Sequence, residues 1–505
     1  MVLDRPVGRP VFRKPERRTL APPRGTGPPP PPPIPPTPGV YLRGPPPLPP
    51  PGAIPPRPIV VCLDLARMKQ MDSSRSSSLM KFLEDTGVSP SEEETRRRER
   101  VILELHKIVM DWAKMVAFNQ GGKPWITSGT VLTFGSYDLG AYGPESDIDA
   151  VCVGPCIASL QHHFFVVLRQ MLEARPEVSD LHSIESARVP LMRFKFNGVS
   201  VDFPYAQLPV INAAEAIHAN DPRLLEKVDE ASWRCLSGVR VNRQIMQLVP
   251  NMKKFQLLLR CLKLWARKRG IHCHLVGFFA GIHLAVLGAY VCRRHPNATA
   301  NTLLLMPCYP PEFCASNVTK STFNKIKEEL WRGLSLTKDT SSVDVDWNWI
   351  FAPFPYAAKY KHFLRIVLSA PTTEELRDWV GWVKSRFRGL ILKLESLNIG
   401  CDPNPSEQVD HTIGEPNAVF LWGLIMYSNT QICTTSLKKD FMRSVTNNIY
   451  GKEKCAHSDI ELSVVGMPQV PKSMSDHSAY LQKLPNLPPR MLGYPPMRQG
   501  CNAVG

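Results

Sequence analysis

The chain has 505 residues, 43% of them apolar, which is too long for one core and apolar enough to bury several. Lysine and arginine outnumber aspartate and glutamate 61 to 45, giving a formal net charge of +16 and a polyanionic partner, nucleic acid first, as the leading expectation. The 13 cysteines are scattered with no C-x-x-C pair, which argues against a zinc ribbon or disulfide framework and for a reducing compartment.

Residues 1–58 are dominated by proline, with an unbroken run from Pro28 to Pro33. Such a segment has too little apolar surface to offset the entropy of ordering and is read as a disordered tail that samples polyproline II. It lacks a signal-peptide apolar core and is too proline-dense for an amphipathic targeting helix. A helical region (59–120) follows. Ser89-Pro90-Ser91 with Glu92, Glu93 and Glu94 marks a helix start, and Ile102, Leu105, Ile108, Val109 and Trp112 recur at helical spacing.

From Ile126 the period changes. Ile126–Phe134 and Ile148–Val153 read as strands, and Leu191–Phe196 and Val199–Phe203 as a hairpin closed by Asn197-Gly198. Region 209–342 reads as mostly helical. Asn251–Arg269 is amphipathic, with Phe255, Leu258, Leu259, Leu262 and Ala266 on one face and Arg260, Lys263 and Arg267 as a basic stripe on another. The apolar stretch Val276–Cys292 contains His283 and is read as a buried helix, not a membrane span. Region 343–484 mixes helices (Glu374–Leu394, Leu437–Tyr450) with strands (Ala418–Met426, Ile460–Val465), the pattern of a small α/β sandwich; 485–505 is a second proline-rich tail.

The chemistry concentrates in Phe134-Gly135-Ser136-Tyr137 and Ser146-Asp147-Ile148-Asp149. Gly135 permits close backbone approach to a phosphate, and the Ser136 amide and hydroxyl can donate to it. Asp147 and Asp149, two apart on a strand, project to one face and need a cation between them. Hard oxygen ligands suit magnesium. The hairpin supplies a third acid. Pairing Phe196 with Val199 places Phe194 opposite Val201 and Met192 opposite Phe203 on an apolar face. Arg193 then falls opposite Asp202, and Lys195 opposite Ser200, on the polar one. Three carboxylates so arranged fit two metals about 3.5–4 Å apart, one activating an attacking hydroxyl and one stabilising a leaving pyrophosphate. A lone Asp-x-Asp is common in surface turns; the Gly-Ser, the Asp-x-Asp and a later hairpin Asp together are far more specific.

The runs Thr133–Gly140 and Gly143–Pro155 resemble the catalytic signature of eukaryotic poly(A) polymerases, as do Val189-Pro190 through Val201-Asp202-Phe203. So do Leu248–Asn251 continuing to Leu262–Ala266, and Ala352-Pro353, Lys359–His362, Ser369–Thr372 and Trp379–Gly381. The resemblance runs from about residue 60 to about 480. It implies an α+β multidomain protein: a nucleotidyltransferase palm with a mixed sheet (121–208), a helical central domain (209–342) and a C-terminal RRM-like, ferredoxin-like α/β sandwich (343–484) that binds RNA. By position, Asp147, Asp149 and Asp202 are the catalytic metal ligands. Phe134, Gly135, Ser136 and Gly143 line the triphosphate, Lys263 reaches the nucleotide, and Gly281 and Ile282 sit against the adenine or ribose. Two Mg²⁺ or Mn²⁺ ions, ATP, an RNA 3′ end and mRNA cleavage and polyadenylation factors are the implied cofactors and partners, in a monomer without membrane attachment. The implied location is the nucleus, with a cytoplasmic pool allowed by the short, plant-like C-terminus.

Three departures stand out. Arg193 occupies the place of a lysine near the phosphates, His272 and His274 replace a nucleotide-contacting tyrosine and asparagine, and a segment between Thr302 and Met306 is missing. The leading reading is AMP transfer from ATP to RNA 3′ ends. A second keeps the palm but changes the nucleotide through the two histidines. A third is an RNA-binding relative with little activity.

Overall fold

The computed structural model describes residues 65–185, 187–218, 227–297, 317–337, 345–426 and 432–466. Both proline-rich tails and the shortened stretch around Asn301–Pro310 lie outside the described residues.

The long helix Glu92–Asn119 begins where its residues dictate. The Ser91 side chain accepts the Glu94 amide at 3.1 Å, and the Glu94 carboxylate accepts the Ser91 amide at 2.7 Å. Its apolar stripe (Val101, Leu105, Ile108, Val109, Trp112, Val116) is buried against one face of a five-stranded sheet. The strands are β1 Thr130–Phe134, β2 Ile148–Gly154, β3 Val178–Ile184, β4 Leu191–Phe196 and β5 Val199–Gln207, in spatial order β1-β2-β5-β4-β3. Pairing is antiparallel except between β2 and β5, so the sheet is mixed. Side chains alternate across it. Ile148, Ala150, Cys152, Met192, Phe194, Val201 and Phe203 pack toward the long helix, while Val151, Val153 and Ala206 pack toward the other side with Val239 of helix Ser237–Leu248. That second face also carries Asp149 and Asp202, which share its parity.

The β4–β5 register is the one the Asn-Gly turn predicts: Phe196↔Val199, Phe194↔Val201, Arg193↔Asp202 and Met192↔Phe203. Asn197 and Gly198 both take positive φ, +48° and +77°, as a tight right-twisted hairpin requires. One expectation needs correction here: residues 124–126 form a 3-10 turn, with the strand starting only at Thr130. The fifth strand, β3, carries no strand signal of its own.

Helices Met252–Lys268 and Gly281–Arg294 pack against each other through Phe255, Leu262 and Gly288, where a Cβ would sit 3.4 Å from the Phe255 ring. No helix among the described residues is long and apolar enough to cross a membrane.

The C-terminal part is a four-stranded antiparallel sheet of β6 His362–Ser369, β7 Ile399–Asp402, β8 Asn417–Met426 and β9 Asp459–Gly466, in order β7-β8-β6-β9. With helices between β6 and β7 and between β8 and β9, this is the βαββαβ order of a ferredoxin-like sandwich. Each segment read as one helix is two: Thr373–Lys384 and Phe387–Ser396, then Thr434–Val445 and Ile449–Cys455.

Helix Lys320–Thr337 is fastened to this sandwich by buried charge. Lys325 Nζ donates to Asp402 Oδ1 at 2.5 Å and to the Tyr356 hydroxyl at 2.6 Å, and the Tyr360 hydroxyl donates to Asp402 Oδ2 at 2.6 Å. One turn on, Glu329 accepts both Nε and Nη2 of Arg269, whose Nη1 donates to the carbonyls of Ala352 and Pro353. Phe354 lies under both cations. Removing one partner leaves a buried unpaired charge. Lys325→Met is therefore expected to cost about 3–5 kcal/mol in urea denaturation, and adding Asp402→Asn should recover part of that loss.

Candidate active site

The sheet register lines up a row of side chains. Phe134 on β1 faces Asp149 on β2, Asp149 faces Asp202 on β5, and Asp202 faces Arg193 on β4. Asp147 precedes β2 by one residue. Carboxylate oxygens of Asp147, Asp149 and Asp202 all come within 4.8 Å of one another, the one group of three among the described residues able to hold a metal ion. An all-carboxylate set of this kind fits a hard divalent cation with open positions for substrate oxygens.

The electrostatics say the same. Burial, then the charges of Asp147 and Asp202, push the Asp149 carboxyl up to about 7. Partial burial and Asp202 raise Asp147 as well. Only part of the repulsion is met by side chains. Arg193 grips Asp202 with both arms, Nε to Oδ1 at 2.6 Å and Nη2 to Oδ2 at 2.8 Å. Lys263 lies close enough to lower both Asp147 and Asp149. Arg193, expected to meet a phosphate, is thus engaged on the Asp202 carboxylate, and a cation taking Asp202 would share that group with it.

Asp147 and Asp149 open onto a cavity of about 830 Å³ between the sheet and helices Met252–Lys268 and Gly281–Arg294, while Asp202 stands behind them in the carboxylate cluster and does not line it. Of the residues singled out from sequence, Gly135, Ser136, Gly143, Asp147, Asp149, Lys263, His272, Gly281 and Ile282 line it. Phe134 does not; its ring lies against Gly238. His274 is absent from the lining and sits 3.3 Å from the Asn317 amide through its carbonyl. Gly135 has φ +63° and is packed so closely that a Cβ would run into the Asp149 carboxylate, so only glycine serves there.

The basic stripe of helix Met252–Lys268 divides its work. Arg260 Nη2 donates to the Gly140 carbonyl at 2.8 Å and Lys263 Nζ to the Ala141 carbonyl at 3.0 Å, while Arg267 lines the cavity. Burial and Arg267 bring the Lys263 ammonium down to about 8, so it is poised to gain from a polyphosphate. His272 is held neutral by burial, with Arg267 and Lys263 adding to it, near a pKa of about 4. Its Nε2 is buried and finds no hydrogen-bond partner among the described residues.

Sequence reading missed the Thr86–Val88 segment and Asn242, both of which line the cavity. Thr86–Val88 lies just before the helix start at Ser91, a whole helix away in sequence from the Gly-Ser and Asp-x-Asp motifs. Asn242 had a signal: it is a polar residue in step with Val239 and Ile245 on the buried stripe of helix Ser237–Leu248.

The raised Asp149 carboxyl has a pH consequence. Its ordinary value is 3.8 and its folded value about 7, so the folded protein holds an extra proton between about pH 4 and 7. The stability tied to that proton is present at the acid end and lost as pH rises through 7. In EDTA, Asp149→Asn is expected to raise the thermal midpoint at pH 8, with the gain shrinking toward pH 5. Magnesium at pH 8 should raise the wild-type midpoint and raise the variant's less.

Three family models match in chain order: the poly(A) polymerase nucleotidyltransferase domain over residues 61–249, the poly(A) polymerase central domain over 254–306, and the poly(A) polymerase predicted RNA binding domain over 355–399. Nuclear poly(A) polymerase 3 of Arabidopsis thaliana is 42% identical over 440 residues, covering 80% of this chain and 86% of that one. Nuclear poly(A) polymerase 1 of the same plant is 36% identical, covering 68% of this chain and 55% of that one. Poly(A) polymerase of Dictyostelium discoideum is 31% identical, covering 66% and 47%. The chain thus spans most of the first relative and about half of the other two. With a palm whose three acids meet beside a cavity and with relatives of this closeness, the chain belongs to the poly(A) polymerase family.

Proposed function

We propose that this protein is a polynucleotide adenylyltransferase that adds AMP from ATP to RNA 3′ ends. The observation that carries the reading is the Asp147–Asp149–Asp202 cluster, two of whose acids, Asp147 and Asp149, line a cavity that also presents Ser136, Lys263 and His272. Asp147, Asp149 and Asp202 would hold two divalent ions, magnesium or manganese, which supply Lewis-acid activation of the RNA hydroxyl and neutralise the leaving pyrophosphate.

The chain's own residues do the rest. The Gly135–Ser136 turn lets the triphosphate approach the backbone and offers it the Ser136 hydroxyl and amide, with Gly143 leaving room beside it. Lys263 meets the phosphates as a full positive charge, since a polyanion beside it reverses the effect of burial. Ile282 and Gly281 form an apolar wall for the base or ribose, and Phe134 backs the turn from outside the cavity. The +16 balance suits RNA, with the ferredoxin-like domain as its docking platform. Recruitment by mRNA cleavage and polyadenylation factors is part of the same reading, as is a nuclear location, and the names of the Arabidopsis relatives support the location.

A second reading, altered nucleotide choice, is favoured by one observation. His272 lines the cavity as a neutral ring whose buried Nε2 has no hydrogen-bond partner among the described residues, so a base edge that reached it would satisfy it, as acceptor or donor according to the tautomer.

Primer extension on oligo(A) with each of the four nucleotides separates these. With magnesium or manganese, ATP is expected to be used best, and Asp149→Ala to lower the rate about a hundredfold or more. Wild type extending no faster than that variant would sink the enzyme reading. Preference for another nucleotide, lost in His272→Ala, would establish the second.

A further inference from the structure

Asn242 occupies a position that helix Ser237–Leu248 otherwise gives to core side chains, between Val239 and Ile245, and it is 2% exposed. A buried amide is tolerated only where its hydrogens are placed. Here both are. Nδ2 donates to the Gly135 carbonyl at 3.0 Å and to Asp138 Oδ2 at 2.9 Å. Since a carbonyl and a carboxylate can only accept, the orientation of the amide is dictated by its surroundings. The other Asp138 oxygen accepts the Thr133 hydroxyl at 3.1 Å. One side chain thus ties the end of β1, the Gly135 turn and Asp138 to a helix more than 100 residues later in the chain.

The segment so held is the one that matters for phosphate. Gly135 touches the Asp149 carboxylate, Ser136 lines the cavity, and the chain between Gly135 and Asp138 is a single short turn that Asn242 grips at both ends. Phe134 strengthens the hold, since its ring lies flush against Gly238 of the same helix, where no side chain would fit.

We propose that Asn242 is a positioning residue for the triphosphate of the incoming nucleotide. It acts through the Gly135–Ser136 turn and the Asp138 carboxylate, fixing the donors of that turn relative to Asp149. This rests on the cavity being the ATP site. The role is directional: the amide grips the turn, so its loss should be felt in ATP affinity and not in the affinity for primer.

The test is a set of near-isosteric variants assayed beside wild type for kcat, KM for ATP and KM for an oligo(A) primer, with ATP binding followed by calorimetry in magnesium. Asn242→Asp sets a carboxylate against two acceptors and is expected to raise KM and Kd for ATP about tenfold, leaving the primer KM unchanged. Asp138→Ala removes one of the two ties and should raise KM for ATP about threefold. Adding Asp138→Asn to Asn242→Asp lets residue 138 donate to residue 242, and should recover part of the ATP affinity. Circular dichroism melts identify any variant that fails to fold, in which case Asp138→Ala decides. Unchanged ATP affinity in the folded variants, equal loss toward ATP and primer, or no recovery in the double variant would overturn the proposal. If wild type itself neither binds nor uses ATP, the ATP-site reading falls instead, and the two failures are distinguishable.

Discussion

Three carboxylates forced together is the constraint on which the site depends. Burial and mutual repulsion lift the Asp149 carboxyl far from its ordinary range, and neither Arg193 nor Lys263 cancels the effect. Such an arrangement persists only because something larger fixes it. The larger thing is the sheet: a parallel β2–β5 contact flanked by antiparallel neighbours places Asp149 opposite Asp202, and the alternation of side chains commits the facing residues to a buried apolar layer under the helix Glu92–Asn119. The energy that holds the acids comes from Phe194, Phe196, Val201 and Phe203 on the other side of the sheet.

Polar anchors from later in the chain complete the enclosure. Asn242, Arg260 and Lys263 all bond to the backbone between Gly135 and Ala141, so helices Ser237–Leu248 and Met252–Lys268 are both moored to the loop linking β1 to β2. Farther away, the paired ions Lys325–Asp402 and Arg269–Glu329 join the helix Lys320–Thr337 and the end of helix Met252–Lys268 to the ferredoxin-like sandwich. Arg269 directly follows the helix that carries Lys263 and Arg267. The helix over the cavity is therefore pinned through its middle to the β1–β2 loop and just past its C-terminal end to the C-terminal domain.

What could be read from the sequence followed the strength of the local signal. The β4–β5 register was legible because Asn-Gly admits few turns and because Met192, Phe194 and Phe196 alternate with charge. The start of the helix at Glu92 was legible from a capping box. Strand β3 was not, since Val178–Ile184 mixes Ser, Asp and His with its apolar residues, has no fully buried side chain and is held by its neighbour more than by its own composition. Strands β6 and β7 were lost for other reasons, one lying between Lys359–His362 and Ser369–Thr372, which were read only for their resemblance, and the other only four residues long. Asn242 and the Arg193–Asp202 grip belong to a third class. The pairing of Arg193 with Asp202 followed from register, but that the guanidinium would take both carboxylate oxygens is a matter of three-dimensional charge balance.

The Asn197-Gly198 turn has a consequence for how the chain can vary. Because one residue of slippage in β5 would exchange Asp202 for Val201 or Phe203 on the acid face, a single insertion or deletion at that hairpin would turn an acid of the cluster into a core residue and a core residue outward. Length change at this tip is therefore a loss of chemistry and of folding in the same event. A turn with no atom near the cavity works as a reading frame for the active site.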